Sequence, residues 1–176
     1  MKIRILFILV FCLLAALPAF SQTVTYSHND APLFTVQMPD GWEFKSKPNP
    51  RNPATKRISG TASNGLVWFG VWVVKDAKTV DGAYKYVQTT AKTLIRDAKE
   101  TKPGTAREVN GLKAKYSEHT GTMKMSDGKS QVFDAQVVLF ETGGKVGIAV
   151  CMADTEGLKA EKANIEAFFR SIKGAK

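Results

Sequence analysis

The sequence has few of the residues that most often carry chemistry. It contains two cysteines and two histidines among 176 residues, and neither follows a spacing, such as H-x₃-H or C-x₂-C, that would predict a metal site. It has no G-x-S-x-G motif, and Cys151 has no evident histidine partner for nucleophilic catalysis. We therefore expect no metal, no other cofactor and no enzymatic activity.

Long apolar runs are equally scarce, and the one that exists opens the chain: "MKIRILFILVFCLLAALPAFSQ". Lys2 and Arg4 precede an apolar run, and Ala19-Phe20-Ser21 is typical of a signal-peptidase site. This pattern predicts a secretory signal peptide over residues 1–21, with cleavage between Ser21 and Gln22. The alternative is an uncleaved membrane anchor, but the run is short for the ~20 residues that span a bilayer.

Cys12 lies inside this apolar run, with apolar residues continuing beyond it, so we do not expect a lipoprotein anchor. Because the signal segment carries two basic residues and no acidic one, its removal lowers the net charge from +9 to +7. Residues 22–176 suit a single domain with a core of its own, without a transmembrane segment. We expect the protein to be exported, either to a periplasm or out of the cell.

Cysteine usage after cleavage fits this compartment, because only Cys151 remains and no internal disulfide can form. Cys151 lies in "KVGIAVCMA", an apolar strand-like run, which predicts a buried and unreactive thiol. Nucleic acid is not an expected partner, since we find no recognition motif and the compartment is wrong for it.

The stretch "FTVQMPDGWEFK", residues 34–45, predicts a strand, a turn at Pro39-Asp40-Gly41 and a second strand entered at Trp42. We interpret the two strands as a hairpin-like unit. The alternatives for "PDGW" are a structural turn with a core tryptophan, which we favour, and a binding loop.

Residues 46–57, "SKPNPRNPATKR", carry three prolines and four basic residues and predict a loop that cannot join a central strand. Asn64-Gly65 between two β-rich runs then predicts a hairpin with a type I′ turn. The following strand, residues 66–74, is apolar on both faces, so we place it centrally in a sheet covered on both sides.

From Thr79 the pattern changes to helical spacing, with apolar residues recurring as far as Ala98 and with Thr79 suited to cap the helix. Pro103-Gly104 should end this segment. An Asn110-Gly111 turn and alternating apolar runs then predict three further antiparallel strands. Together these elements predict an α+β fold with an antiparallel sheet.

Asp154 or Thr155 should cap a last helix. Its apolar side comprises Leu158, Ile165, Phe168, Phe169 and Ile172.

The order of these features resembles the PsbP/Mog1/DcrB-like superfamily, including bacterial DUF1795-type proteins. The residues that carry the resemblance are "FTVQMPDGWEF", the strand entry "EVNGLKAKYSE" and the closing helix "AFFRSIK", within residues 32–173. The resemblance implies an α/β/α sandwich, with an antiparallel sheet of about six to seven strands flanked by two main helices. It also implies non-enzymatic work as an adaptor, assembly factor or accessory subunit, and it supplies no catalytic residues.

Two features remain as candidate binding surfaces. Trp68 and Trp72 project from the same strand face with Gly70 between them, which suggests an aromatic-walled groove, although a core face under a helix is the plainer alternative. Basic residues cluster around the proline-rich segment: Lys45, Lys47, Arg51, Lys56 and Arg57. They could attract an acidic protein, an anionic surface or lipid headgroups, or they could simply keep the surface soluble. We expect an envelope protein as the partner, with a small apolar ligand or lipid as the alternative.

Overall fold

The computed structural model describes residues 20–49, 52–94, 96–124 and 128–176. Most of the predicted signal peptide, together with Cys12 and Arg51, therefore lies outside the described residues. In chain order the elements are β1 (Phe20–His28), β2 (Ala31–Pro39), β3 (Glu43–Asn49), β4 (Asn52–Thr61), β5 (Trp68–Val73), α1 (Val80–Leu94), β6 (Arg96–Val109), β7 (Leu112–Lys124), β8 (Ser130–Thr142), β9 (Lys145–Ala153), α2 (Thr155–Ala160), α3 (Lys162–Arg170) and β10 (Lys173–Gly174).

The described strands form two antiparallel sheets. The large sheet has seven strands in the order β3-β4-β5-β9-β8-β7-β6, and the small sheet has three in the order β1-β2-β10. The predicted α+β class, with an antiparallel sheet of about six to seven strands, is confirmed. The small sheet was not predicted, because a two-residue strand such as β10 leaves no pattern in the sequence.

The large sheet is covered on both faces, and strand β8 shows why. Val138 and Phe140 are buried in a core shared with the small sheet, α2 and α3, while Val137 and Leu139 are buried against α1. Successive side chains of a strand point to opposite faces, so a strand between two layers is apolar throughout. Strand β5 lies inside the sheet between β4 and β9, as predicted; Phe69 and Val71 are buried on one face, whereas Trp68 and Trp72 on the other face are only half-buried.

The "PDGW" segment connects the two sheets. Gly41 has φ of +73°, and the Trp42 amide donates to the Pro39 carbonyl at 3.2 Å. The Trp42 side chain is only 4% exposed and stacks on Phe69 at 4.8 Å between ring centroids. The interpretation as a structural turn with a core tryptophan is confirmed. The predicted hairpin between the flanking strands is wrong, since β2 pairs with β1 and β10 while β3 pairs with β4.

The expected loop over residues 46–57 is also wrong. Strands β3 and β4 continue through it as a hairpin, in which Lys47 lies opposite Arg57 and Pro48 opposite Lys56. Pro48 is tolerated because β3 is an edge strand of the large sheet, where one side of the backbone has no strand to bond. Pro53 lies on β4 ahead of Arg57, the first residue of β4 that pairs with β5.

The hairpin at Asn64-Gly65 is confirmed, but its turn type is not. Of the pair, only Gly65 has a positive φ, +70°, whereas a type I′ turn needs two such residues. The loop closes instead through the Ala62 amide and the Val67 carbonyl, 2.8 Å apart. The Gly65 amide donates to the Ala62 carbonyl at 2.8 Å, which forms a backbone turn. The Asn64 side chain supports this turn by accepting from the Leu66 amide at 2.9 Å.

Helix α1 ends earlier than predicted. Thr79 caps it as expected, with its hydroxyl accepting from the Gly82 amide at 3.2 Å. However, the chain re-enters the sheet as β6 from Arg96, so Ala98 and Pro103-Gly104 lie on a strand. Pairing with β7 outweighs the helical spacing of these residues, as tertiary contacts often do.

The last helical segment is confirmed, with Asp154 as its cap; its carboxylate accepts from the Gly157 amide at 2.7 Å. The segment is divided at Glu161 into α2 and α3.

Candidate functional site

The strand register brings most of the candidate residues onto one face of the large sheet. Directly opposed residues on neighbouring strands share a face. Lys47 lies opposite Arg57, which lies opposite Trp72. One row along, Lys45 lies opposite Ser59, which lies opposite Gly70. The tryptophans of β5 and the basic residues of the β3–β4 hairpin therefore form one surface, a combination that sequence spacing did not predict.

The two indole rings close over Gly70. A Cβ atom added at Gly70 would lie 2.7 Å from Cη2 of Trp68 and 2.9 Å from Cζ3 of Trp72, which is closer than real Cβ contacts allow. Gly70 is buried, while both tryptophans are half-buried. The glycine thus makes room for the protein's own rings, which form an aromatic plate, and not for a ligand inserted between them.

Strand β9 extends this plate. Trp68 lies opposite Met152 and Gly70 opposite Val150, and both β9 side chains are half-buried. The Trp72 and Val150 side chains also pack against the core beneath α1, which anchors one edge of the surface. Sequence reasoning missed Val150 and Met152, although their alternation in "AVCMA" was a usable signal. We define the Trp face by its seven side chains: Lys45, Lys47, Arg57, Trp68, Trp72, Val150 and Met152.

The three cations of the Trp face share this side of the sheet with one carboxylate, that of Glu43, which lies opposite Thr61 in the row of Trp68. Lys47 and Arg57 are directly opposed like charges, an arrangement that costs stability in a sheet. Among the described residues no carboxylate forms an ion pair with Lys45, Lys47 or Arg57. The Nε of Arg57 is buried and finds no hydrogen-bond partner there either. An anionic group placed between the two opposed cations would relieve the repulsion between them.

Lys56 does not belong to this surface. It lies opposite Pro48 and next to Arg57 along β4, so its side chain points to the other face of the sheet. Its backbone carbonyl accepts from the Tyr26 hydroxyl at 2.8 Å. Arg51 is outside the described residues and cannot be placed on either face.

The polar groups in the interior do not form a second site. Ser117 Oγ lies 3.0 Å from His119 Nε2, but both side chains are buried under the layer that contains α1, and burial lowers the pKa of His119. The Cys151 thiol is fully buried, which raises its pKa well above the usual value, as expected for an unreactive cysteine. Within the described ranges no group of three or more potential ligands could hold a metal ion.

The described helices include none with the length and apolar character needed to cross a membrane.

No protein-family model matches the chain. No curated protein matches it in sequence either.

Solved structures, in contrast, match it over most of its length. A Pseudomonas aeruginosa protein of unknown function, PA94, described as a candidate regulator, superposes with a TM-score of 0.51 at 13% identity, covering 88% of this chain and 99% of its own. LpqN of Mycobacterium tuberculosis, involved in cell envelope biogenesis, gives 0.50 at 14% identity, with coverages of 88% and 91%. The Saccharomyces cerevisiae Ran-binding protein Mog1p gives 0.50 at 14% identity, with coverages of 88% and 96%.

These matches define the class of the protein by its fold. It has a Mog1/PsbP-like fold, and the resemblance seen in the sequence is confirmed at that level. The finer DUF1795-type label remains a prediction. At 13–14% identity the likeness extends to the fold alone, and one fold of this kind hosts unrelated functions.

Proposed function

We propose that this is an exported, non-enzymatic binding or accessory protein of the cell envelope, which docks a protein partner through the Trp face. The observation that carries the proposal is the convergence of two half-buried tryptophans with three cations that lack an ion pair within the described chain. Tryptophan and arginine are the residues most enriched among those that dominate binding energy at protein interfaces. An acidic group on the partner would lie between Lys47 and Arg57, which are directly opposed.

The structural neighbours support a binding or accessory role in a general way. One is described as Ran-binding and another as involved in cell envelope biogenesis. A role without catalysis is also in keeping with the burial of Ser117, His119 and Cys151, which are 2%, 4% and 0% exposed. An activity that depended on Ser117 or Cys151 would contradict this part of the proposal.

The partner is tested by site-specific photocrosslinking in the producing cells. A photoreactive residue replaces Lys47 in one variant and Lys56 in the other, because the two lysines lie on adjacent strands but on opposite sheet faces. We expect one dominant crosslinked envelope protein from position 47, little from position 56, and loss of the product when Arg57→Glu is added. Equal products from both positions, or none from either, would contradict docking at the Trp face.

Export is tested separately, by the mass and N-terminal sequence of the protein isolated from cell fractions. The proposal predicts a chain that begins at Gln22 and is found in the periplasm or the medium. Such cleavage would leave β1 paired with β2 from Gln22 onward, opposite Met38. A chain that retains Met1 in the soluble cell fraction would contradict export.

A small apolar ligand or lipid is the second candidate for the same surface, favoured because Trp68 and Trp72 are only half-buried. Amphipathic indoles beside cations suit the boundary of an anionic membrane. Vesicles containing anionic lipid should then shift tryptophan emission to the blue in the native protein but not in Trp68→Phe/Trp72→Phe, in which only the buried Trp42 remains. The same shift in the double variant would exclude this surface.

A further inference from the structure

A concave surface lies on the face of the large sheet opposite the Trp face. It is a groove of about 730 Å³ between strands β6–β8 and helices α2–α3. Tyr116, Val138, Ala149 and Val71 lie directly opposite one another on four neighbouring strands, so their side chains share one face of the sheet. Val71 is next to Trp72 along β5, so this face is the one opposite the Trp face. We call it the α3 groove, and no part of the Trp face contributes to it.

The floor of the α3 groove is apolar and fixed in place. Val138 and Phe169 are buried, and the half-buried ring of Tyr116 lies beside them. The Tyr116 hydroxyl donates to the Glu118 carboxylate at 2.6 Å, and the guanidinium carbon of Arg107 lies 4.5 Å from the centre of its ring. A preorganised aromatic floor lowers the entropy cost of binding.

The walls of the groove are charged, with an excess of cations. Lys102 is paired with Glu118 at 3.3 Å, and Arg170 with Glu166 at 3.0 Å. Three further cations and one carboxylate line the groove without an ion pair among the described residues: Arg107, Lys159, Lys162 and Glu108. The cations stand on both sides, with Arg107 on the edge strand β6 and the two lysines on the helices.

We propose that the α3 groove binds an extended acidic peptide segment of a protein. Within α3 the wall runs from Lys162 to Arg170, about 12 Å at 1.5 Å per residue, which matches about four extended residues at about 3.3 Å each. Carboxylates of such a segment would meet Arg107 on one wall and Lys162 on the other, while its alternate side chains would pack on Tyr116.

The carboxylates in the groove select against uniform polyanions. Glu108, Glu118 and Glu166 would each repel a phosphate placed nearby, whereas a peptide can put neutral or basic residues opposite them. A flat membrane surface cannot follow a concave groove. The mixed charge and the length of the site therefore favour a peptide.

The test is a titration of the purified protein with a fluorescein-labelled hexapeptide of alternating glutamate and leucine, followed by anisotropy. The control peptide has glutamine in place of glutamate. The matched protein variants are Lys162→Glu and Lys85→Glu, since both lysines are exposed on helices but only Lys162 lines the groove. We expect Lys162→Glu to weaken binding at least about tenfold and Lys85→Glu by less than about twofold, because charge reversal replaces an attraction with a repulsion only at the contact.

Amide and side-chain chemical shifts on titration locate the peptide. Changes centred on Tyr116 and Gln136 would support the proposal. Equal binding of both peptides, equal weakening by both variants, or changes centred on Trp68 and Trp72 would overturn it. Because the probe does not require the partner of the Trp face, this result is independent of the proposed function.

Discussion

Glu161 is the most connected buried acid of the described chain, and replacing it should destabilise the fold. It lies between α2 and α3 and is only 6% exposed. Its carboxylate accepts from Trp42 Nε1 at 3.3 Å, from Asn64 Nδ2 at 2.6 Å and from Asn164 Nδ2 at 2.8 Å. One side chain thus ties the turn after β2, the β4–β5 loop and α3 together.

The magnitude follows from which donor loses its partner. Asn64 is exposed and would bond to water, but Trp42 is buried, and a buried donor without a partner costs about 1–3 kcal/mol. Glu161→Met keeps the length of the side chain and removes both oxygens, so we expect a loss of about 2 kcal/mol. For a chain of this size, that lowers the melting temperature by about 4–8 °C.

Glu161→Gln should cost less, about 1 kcal/mol. One amide oxygen remains for Trp42 and Asn164, but the amide nitrogen then faces the nitrogen of Asn64. To accept from it, Asn64 would have to turn its amide and give up the bond to Leu66.

The assay is urea unfolding followed by tryptophan fluorescence, with Glu43→Gln as the control because Glu43 is exposed on the edge strand. The expected order of stability is native, Gln, then Met. If Glu161→Met is as stable as the native protein, the desolvation of the carboxylate cancels its hydrogen bonds and the reasoning is refuted.

For three further substitutions, local geometry predicts whether the free energy of unfolding rises or falls. Gly147→Ala should cost about 1–3 kcal/mol, because its Cβ would lie 2.3 Å from Cζ of the buried Phe140 ring, whereas Gly82→Ala in α1 should gain up to about 1 kcal/mol. Asp154→Ala removes the cap of α2 and should cost about 1 kcal/mol.

Burial lowers the pKa of His119 from 6.5, so the unfolded chain binds a proton at His119 more readily than the folded chain does. Neutral His119 therefore makes its full contribution to the free energy of unfolding above pH 6.5, and this contribution is lost as the pH falls toward the folded-state pKa of His119.

Urea midpoints at fixed pH check the substitutions, and midpoints measured between pH 7.5 and 5 check His119, with His119→Gln as the variant that should lose part of the pH dependence. A destabilising Gly82→Ala, a neutral Gly147→Ala or an unchanged midpoint in Asp154→Ala would each contradict its local argument. An unchanged pH profile in His119→Gln would show that other groups control the response to acid.

The turns and helix caps of this protein can be predicted from its sequence alone. The turn at Pro39-Asp40-Gly41, the hairpin around Gly65 and the caps at Thr79 and Asp154 could all be predicted, because each depends on the dihedral preferences and hydrogen bonds of a few adjacent residues. The run of residues that is apolar on both faces likewise predicted the central position of β5. A residue's neighbours in the chain are enough to determine such features.

Which strands pair with one another could be seen only in the tertiary structure. The sequence predicted a loop over residues 46–57 and a helix end over residues 96–104. In the structure the first range contributes to β3 and β4, and the second belongs to β6. The pairing of β2 with β1 and not with β3 is likewise invisible to local patterns. Strand pairing depends on burying whole faces at once, and that free energy is shared among residues distant in the chain.

The candidate sites divide in the same way. Period-two alternation alone places Trp68 and Trp72 on one face, but only the register of three strands adds Lys47 and Arg57 and removes Lys56. The α3 groove has no sequence signature at all, because its two walls come from segments some fifty residues apart. The sequence by itself determined the turns, the caps and the alternation, since these are short-range; the packing of the sheets decided which side chains meet, since only burial of the complete core fixes the register.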